Sequence, residues 1–307
     1  MAATTPPPRR SPARLAPYGF LAPAIVLFVL FFALPIGYAI FLSLRKVHIT
    51  GLGLGPHART EVWAGLANYS SALGDPELLA SAGRTLVYGA LLVPAMLGAA
   101  LLFALLLDTP RVRLGTFSKL AIFLPYAVPG IIASLLWGFL YLPIVSPGYF
   151  LLTKAGMSGP DLLHGNGLFL ALANIAVWGG TGFNMIVIYT SLRAIPAELY
   201  EAARIDGCSE LQIALRIKLP MVAPSLVLTF FFSMIATLQV FSEPMTIKPL
   251  TNSMSFSWSP MMKVYRDAFV QGNLYSASAT SVVIAAATLV LSFGFLKLVN
   301  KRANGGD

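Results

Sequence analysis

The stretch Glu201-Ala202-Ala203-Arg204-Ile205-Asp206-Gly207 is a charged island between two long apolar runs of this 307-residue sequence. It belongs to a longer polar segment, residues 193–221, that closes with Ile217-Lys218-Leu219-Pro220. A connection between two packed helices usually needs only a few residues. A segment of this length, with its own pattern of charged and small residues, therefore predicts contact with a partner.

The runs that flank this segment belong to a strongly apolar chain. Hydrophobic residues make up 57% of it and charged residues 11%, whereas a soluble domain has about 25% charged residues. Six runs are uncharged over the roughly 20 residues that a helix needs to cross a hydrocarbon core. Because backbone polar groups in lipid must bond within their own segment, such runs form helices. The sequence predicts an all-α membrane protein with six transmembrane helices, placed near residues 18–43, 85–107, 120–143, 168–192, 222–242 and 276–297.

The apolar runs also divide the chain into regions. The first run is about twice as long as the core of a signal peptide, so we interpret it as a retained helix. The predicted regions are a disordered cytoplasmic tail (1–16), a first transmembrane helix (17–44), an outer loop (45–80), a five-helix core (81–298) that contains the 193–221 segment, and a cytoplasmic tail (299–307).

Basic residues indicate the orientation of the helices. Most of the 21 Lys and Arg residues fall on the side that carries both termini and the 193–221 segment, and basic loops stay in the cytoplasm. Both termini and this segment are therefore predicted to be cytoplasmic. The net charge of +9 needs only anionic membrane lipid as its partner. No basic stretch is interleaved with aromatic residues, so nucleic acid is not an expected partner.

The sequence lacks the motifs of catalysis. It has three histidines, His48, His57 and His164, one cysteine, and no metal-binding, nucleophile or phosphate-loop motif. Apart from Lys297 at the very end of the last span, no charged residue lies inside a predicted span, whereas ion-driven carriers usually hold one near the membrane midplane. The energy for any pumping must then come from another chain. An ion-coupled secondary carrier or a channel stays open as the alternative, since sodium sites built from carbonyl groups would leave no such mark.

Local signals predict two short helices in the 193–221 segment. Pro196 suits the first position of a helix, where a missing N–H costs nothing, and Glu198 and Glu201 add favourable negative charge near the helix start. Gly207 is the usual residue for a left-handed cap at the end of a helix.

The second helix of the segment begins with a capping box. Ser209 and Gln212 have the spacing that this motif requires. Two short helices are marginal in water without a surface to pack on, and Ala202 and Ala203 predict a smooth face for close approach. The residues alone leave two interpretations open, a docking element and an amphipathic loop on the membrane surface.

The order Glu201-Ala202-Ala203, Asp206-Gly207 and Ile217-x-Leu219-Pro220 resembles the cytoplasmic signature loop of ABC importer permeases. The chain is similar over nearly its whole length after residue 17 to the first permease subunit of maltose- and glycerol-phosphate-type importers, which are of the carbohydrate-uptake type. It departs from them at Cys208, where Ala is usual, and after the fifth span, where Pro249-Leu250-Thr251-Asn252 replaces a Gly-Gly-Pro. Further stretches that resemble the family are Leu66-Ala67-Asn68-Tyr69, Leu124-Pro125-Tyr126 and Trp178-Gly179-Gly180-Thr181-Gly182-Phe183-Asn184.

The resemblance implies a type I ABC importer permease fold in the bacterial cytoplasmic (inner) membrane. It implies a subunit that translocates a solute, a sugar or a related polyol or glycerol derivative, with no catalysis and no cofactor of its own. The implied partners are a second permease subunit, two ATP-binding subunits and an extracytoplasmic solute-binding protein; whether the two permeases are identical stays open. The residues implied to couple to the ATPase are Glu201, Ala202, Ala203, Asp206 and Gly207.

Three polar residues are candidates for the substrate path. Asn184 and Gln239 place amides at membrane depth, where polar groups must find partners, either on a neighbouring helix or along a polar path. Glu243 is expected to end the fifth span at the outer interface, where it contacts solute hydroxyls, gates the cavity or remains interfacial.

Overall fold

The computed structural model describes residues 16–49, 59–109 and 114–303 of the chain. Helices dominate this part of the molecule. Four helices are long and apolar enough to cross a membrane, and the number rises to six if each of two sharply bent helix pairs counts as one span. The predicted all-α membrane fold is confirmed. The predicted tail at residues 1–16 lies, apart from its last residue, outside the described residues.

The first span is one long rod with a local widening. Helix α1 (Ala16–Phe28) continues through a π-helical turn (Val29–Ala33) into α2 (Leu34–Ser43). Pro35, in the first turn of α2, has no N–H to donate, and a π turn before it accommodates the missing bond. The predicted first transmembrane helix, residues 17–44, is close to this rod.

The segment predicted as the outer loop, residues 45–80, contains regular secondary structure. Strands β1 (Arg45–Ile49) and β2 (Arg59–Trp63) form an antiparallel hairpin in which Arg45 is opposite Trp63. Helix α3 (Ala67–Leu73) follows. The glycine-rich stretch that suggested a loop falls between the strands, outside the described residues, and β-branched and aromatic residues on both sides favour pairing.

One asparagine joins α3 to the first span. Asn68 donates from Nδ2 to the backbone carbonyls of Ser43 at 2.8 Å and Arg45 at 2.7 Å. These carbonyls end the helix and begin the hairpin, and the bonds satisfy groups that the helix itself cannot. The Leu66-Ala67-Asn68-Tyr69 stretch therefore closes the end of the first span.

The second span is longer than predicted. Helix α4 (Pro76–Leu107) starts well before residue 85 because Asp75 caps it, accepting from the Glu77 N–H at 2.8 Å. Pro94 lies inside this helix and does not interrupt it.

The third span, predicted as one helix over residues 120–143, is broken. Helix α5 (Gly115–Phe123) passes into a 3₁₀ turn (Leu124–Ala127), and α6 (Gly130–Tyr141) leaves at 97° to it. Pro129 forces the break, because a residue that precedes proline is driven out of the helical region and Val128 is extended (φ −79°, ψ 125°).

Helices α4 and α8 form the centre of the molecule. After α7 (Pro147–Lys154), α8 (Gly167–Arg193) packs along α4 over most of its length. Tyr88 of α4 is buried between them and donates to the Leu172 carbonyl at 3.1 Å.

The chain then forms the short helices of the 193–221 segment and continues into the last two spans. These elements are α9 (Ala197–Ile205), α10 (Glu210–Ile213), a π turn (Ala214–Lys218), α11 (Leu219–Met221), α12 (Ala223–Leu238), α13 (Ser242–Ile247), a 3₁₀ turn (Lys248–Leu250), α14 (Pro260–Tyr265), a π turn (Arg266–Val270) and α15 (Leu274–Ala303). The fifth span therefore ends at Leu238 and not at 242. The sixth helix runs to Ala303, so the predicted tail at 299–307 is helical in its described part.

A cluster of charged side chains ties the start of α4 to α14. Buried Lys263 contacts Asp75 at 2.8 Å and Asp267 at 2.6 Å, while Arg266 contacts Glu77 at 2.6 Å. Burial works against the charge of Lys263, but its hydrogen bonds to the two aspartates outweigh burial and raise its pKa. Burial also opposes the ionisation of Asp75, and the bond from Lys263 outweighs it and lowers the pKa of this carboxyl.

Candidate functional site

The 193–221 segment consists of two capped helices joined by a sharp turn, and we call it the coupling loop after the role that its resemblance implies. Gly207 has φ +82°, which L side chains rarely adopt. Its N–H donates to the Arg204 carbonyl at 3.1 Å, and the Cys208 N–H donates to the Ala203 carbonyl at 2.9 Å. Together these bonds form a complete Schellman cap. The predicted left-handed glycine is confirmed.

The second helix of the coupling loop starts with the predicted capping box. The Ser209 N–H donates to Gln212 Oε1 at 2.7 Å, and the Gln212 N–H donates to Ser209 Oγ at 3.4 Å. Arg204 and Glu210 join the two helices through a 3.0 Å ion pair. One detail differs from expectation: Pro196 lies just before α9, with ψ 134°, and not at its first helical position.

The two alanines of the motif face in different directions. Ala202 is exposed, but Ala203 is buried at 7% exposure, since consecutive helical residues are about 100° apart around the axis. The smooth face predicted from both alanines is therefore wrong. Glu201, Asp206 and Gly207 are exposed with Ala202. Two large apolar side chains of the segment are also exposed, Ile205 at 86% and Leu211 at 68%.

A buried ion pair connects the coupling loop to α4. Lys218 Nζ lies 2.6 Å from Asp108 Oδ2, and the two side chains are 8% and 5% exposed. The Lys218 ammonium also lies 5.0 Å from the centre of the Tyr200 ring, a cation–π contact. Asp108 closes the C-terminal end of α4. Sequence reasoning missed this pair because 110 residues separate its members.

The three polar candidates for the substrate path lie in one cavity. It has a volume of about 690 Å³ and is bounded by α4, the broken third span, α8, α12 and the start of α13. This volume falls within the roughly 300–1,000 Å³ of small-molecule sites. Asn184, Gln239 and Glu243 all line it, although they are far apart in the sequence.

Each of the three residues reaches this cavity, hereafter the candidate substrate cavity, for a local reason. Asn184 is 4% exposed and donates to the Gly180 carbonyl of its own helix at 3.0 Å. Gln239 caps the end of α12 and is exposed in this chain. The expectation that Glu243 ends the fifth span is wrong, because α12 stops at Leu238 and the chain turns into α13, which carries Glu243 to the cavity wall.

An aromatic pair forms another part of the cavity wall. The rings of Tyr126 and Phe183 are stacked with centroids 4.9 Å apart, and both residues line the cavity. Tyr126 comes from the 3₁₀ turn at the break in the third span. Gly182 permits the contact, because a Cβ there would lie 2.2 Å from the Ile122 carbonyl oxygen. The glycine-rich stretch of α8 therefore serves close packing against the broken span.

Comparisons with known proteins agree with this architecture. The sequence profile of the family described as "Binding-protein-dependent transport system inner membrane component" matches residues 71–304. The sn-glycerol-3-phosphate transport system permease protein UgpA of Brucella abortus biovar 1 (strain 9-941) is 32% identical over 296 residues, which cover 95% of this chain and 97% of that protein. The protein of the same name from Agrobacterium fabrum (strain C58 / ATCC 33970) is 31% identical over 96% of this chain and 98% of its own.

A solved structure shares the fold. A chain of a bacterial ABC transporter involved in the import of the acidic polysaccharide alginate superposes with a TM-score of 0.79 at 19% identity, covering 94% of this chain and 96% of its own. The type I importer permease fold is thereby confirmed. The family match decides between the open alternatives in favour of an ABC importer and against an ion-coupled carrier or channel. The chain belongs to the family of inner-membrane components of binding-protein-dependent transport systems, the permease subunits of ABC importers.

Proposed function

We propose that this permease subunit passes a sugar, polyol or glycerol derivative through the candidate substrate cavity while an ATP-binding subunit drives the coupling loop. One observation carries the proposal, the connection between loop and cavity. The loop continues directly into α8 on one side and α12 on the other, and the Lys218–Asp108 pair ties it to α4. All three helices line the cavity.

This connection supplies a route from ATP hydrolysis to transport. A displacement of the coupling loop moves α4, α8 and α12 together against the third span. The bend at Val128 and Pro129 leaves α5 and α6 as separate segments on the far wall of the cavity. Relative movement of the two walls opens the cavity to one side of the membrane and closes it to the other. Rigid helices that move about short breaks are a common form of such switching.

The exposed face of the coupling loop supports docking on an ATP-binding subunit. Ile205 and Leu211 place large apolar side chains among polar groups, and exposed apolar surface with a polar rim is typical of protein interfaces. Glu201 and Asp206 provide acceptors for basic or N–H groups of the partner. Ala203 acts indirectly, since it is buried beneath this face.

The remaining partners follow from the proposed assembly. A second permease subunit completes the translocation path, two ATP-binding subunits hydrolyse ATP, and an extracytoplasmic binding protein delivers solute. Both termini and the coupling loop face the cytoplasm, where the basic residues contact anionic lipid. The chain itself performs no bond chemistry. Purified alone it is expected to hydrolyse no ATP, and hydrolysis is expected once the ATP-binding subunits are added; hydrolysis by the single purified chain would contradict this role.

The cavity role is tested with Gln239→Met, which keeps the side chain's length and removes its hydrogen-bonding groups. Loss of one hydrogen bond worth about 1–1.5 kcal/mol raises the KM for solute by roughly tenfold. Uptake of a panel of sugars, polyols and glycerol derivatives is measured in vesicles that hold the complete importer, and it is normalised to inserted protein. Gln271→Met, the same change at an exposed position that does not line the cavity, is the matched control. Unchanged uptake by Gln239→Met would remove the cavity from the substrate path.

A further inference from the structure

We propose that Glu243 makes the candidate substrate cavity selective against anions, so that the transported solute is uncharged or cationic and rich in hydroxyl groups. The inference rests on the proposed function of the cavity and adds the charge class of its solute. The relatives and the solved structure carry names that mention sn-glycerol-3-phosphate and an acidic polysaccharide. If this chain carried the same kind of solute as those names mention, its solute would be anionic. The cavity of this chain indicates the opposite.

The position of Glu243 directs its charge into the cavity. It lies in the first turn of α13, beside the start of α6, where a Cβ added at Gly130 would be 3.8 Å from its Oε1. Among the described residues, the Glu243 carboxylate has no ion-pair or hydrogen-bond partner, in contrast to Asp108 and Asp267. A carboxylate that lines a cavity of a membrane protein without a partner in its own chain is costly, and such groups usually serve a solute or ion.

No positive side chain offsets this carboxylate at the cavity wall. Of the described residues that line the cavity, none is Lys, Arg or His, and Glu243 is the only acidic one. The nearby basic residues are engaged elsewhere: Arg84 donates to the backbone carbonyls of Ser257 and Trp258, and Lys248 lies 3.9 Å from the centre of the Phe256 ring. The formal charge that this subunit gives to the cavity is therefore negative.

The other groups at the wall suit a hydroxyl-bearing solute. Gln239 and Asn184 provide amide donors and acceptors, and the Glu243 carboxylate accepts hydrogen bonds from hydroxyl or ammonium groups. The stacked rings of Tyr126 and Phe183 offer an apolar surface to the C–H face of a sugar or polyol. A carboxylate or singly charged phosphate placed about 5 Å from Glu243 is disfavoured by roughly a few hundredfold at an effective dielectric constant of about 20.

The test measures the charge of the cavity without knowledge of the solute. Ala236 lines the cavity and is exposed in this chain, so Ala236→Cys introduces a reporter thiol; Cys208→Ser removes the native one. The complete importer in vesicles is treated with two methanethiosulfonates of similar size, one with a trimethylammonium group and one with a sulfonate. We compare the ratio of the cationic to the anionic reaction rate at the reporter thiol with the same ratio for a free thiol. We expect the ratio at the reporter thiol to be larger by roughly tenfold or more. Glu243→Gln should remove most of this preference.

Controls and outcomes separate this inference from the proposed function. Glu198→Gln makes the same chemical change on α9, outside the cavity lining, and should leave the preference intact. A preference no greater than that of the free thiol, or one that Glu243→Gln leaves unchanged, would overturn the inference. Uptake of sn-glycerol-3-phosphate in preference to glycerol would also overturn it and would leave the transport role standing. Wild-type uptake by Gln239→Met would instead count against the proposed function, and the reagent preference would remain measurable.

Discussion

The buried pair Asp108–Lys218 gives the sharpest test of how the coupling loop is joined to the membrane helices. At 2.6 Å and an effective dielectric constant of about 20, the attraction is about 6 kcal/mol. Desolvation of two side chains that are 8% and 5% exposed costs several kcal/mol for each ion. The intact pair therefore adds little net stability. Removal of one member leaves the other charge buried and should cost about 3–5 kcal/mol.

The perturbations are Asp108→Asn, Lys218→Met and the double variant. A cost of 3–5 kcal/mol corresponds to an increase of between about a hundredfold and a few thousandfold in local opening. Amide hydrogen exchange across residues 197–221 measures this opening, and ATP hydrolysed per solute transported measures coupling. Both should rise in each single variant. The double variant should recover most of the loss, since it buries no unpaired charge.

The exposed pair Arg204–Glu210 in the same loop is the matched control, because its side chains are 42% and 54% exposed and surface pairs contribute little. Arg204→Met should leave hydrogen exchange almost unchanged. If Asp108→Asn and Lys218→Met behave like Arg204→Met, or if their effects simply add in the double variant, the pair does not hold the loop to α4.

Three further predictions concern other parts of the chain. Gly207→Val should insert normally but lose uptake and stimulated ATP hydrolysis. No atom would crowd a Cβ at this position, so the cost of about 1–3 kcal/mol is backbone strain at positive φ. Gly207→Asn should have a milder effect, and wild-type uptake by the valine variant would refute the role of this turn. Cys208 should react with a membrane-impermeant thiol reagent only from the cytoplasmic side, and labelling in sealed right-side-out vesicles would reverse the orientation. The contact of Asp75 with Lys263 should hold α14 on α4 between pH 3.8 and pH 10.5, the ordinary pKa values of the two groups. Because the pKa of Asp75 is lowered, its contribution to stability is lost as the pH falls below 3.8. Because the pKa of Lys263 is raised, its contribution to stability is lost as the pH rises above 10.5. Protection factors of the α14 amides, which are corrected for the intrinsic pH dependence of exchange, should stay constant within this window, and a fall within it would contradict the assignment.

The features predicted correctly from the sequence are those that neighbouring residues determine. The left-handed turn at Gly207 and the capping box of Ser209 and Gln212 depend on backbone groups within a few positions, so residue type and spacing are sufficient. The six apolar runs were predicted for a similar reason, since the length of a span is set by the bilayer. Their ends were less accurate. Asp75 extends α4 outward through a cap, and α12 stops at Leu238, where hydropathy alone gives no signal.

The features that the sequence could not provide depend on residues brought together by the fold. Two prolines, Pro125 and Pro129, fall within the span predicted as one helix, but they do not give the bend of 97°, because the angle depends on how α5 and α6 pack against α8. Asn184, Gln239 and Glu243 were each recognisable as unusual, but their meeting in one cavity required the structure. The hairpin of β1 and β2 was not predicted, because the glycine-rich stretch between the strands favours a loop and each strand has only five residues.

In the proposed mechanism, the buried pair also explains how the coupling loop would move α4. An apolar pair in place of Asp108 and Lys218 would hold the loop at least as firmly, but it would tolerate sliding between equivalent packed positions. An ion pair with a 2.6 Å contact has one favourable arrangement, and any slip leaves two buried charges without partners. Movement of the loop relative to α4 is therefore penalised more steeply than movement of loop and helix together. In the proposed mechanism, a small displacement at Glu201 and Gly207 is in this way carried to the cavity wall and not absorbed at the junction.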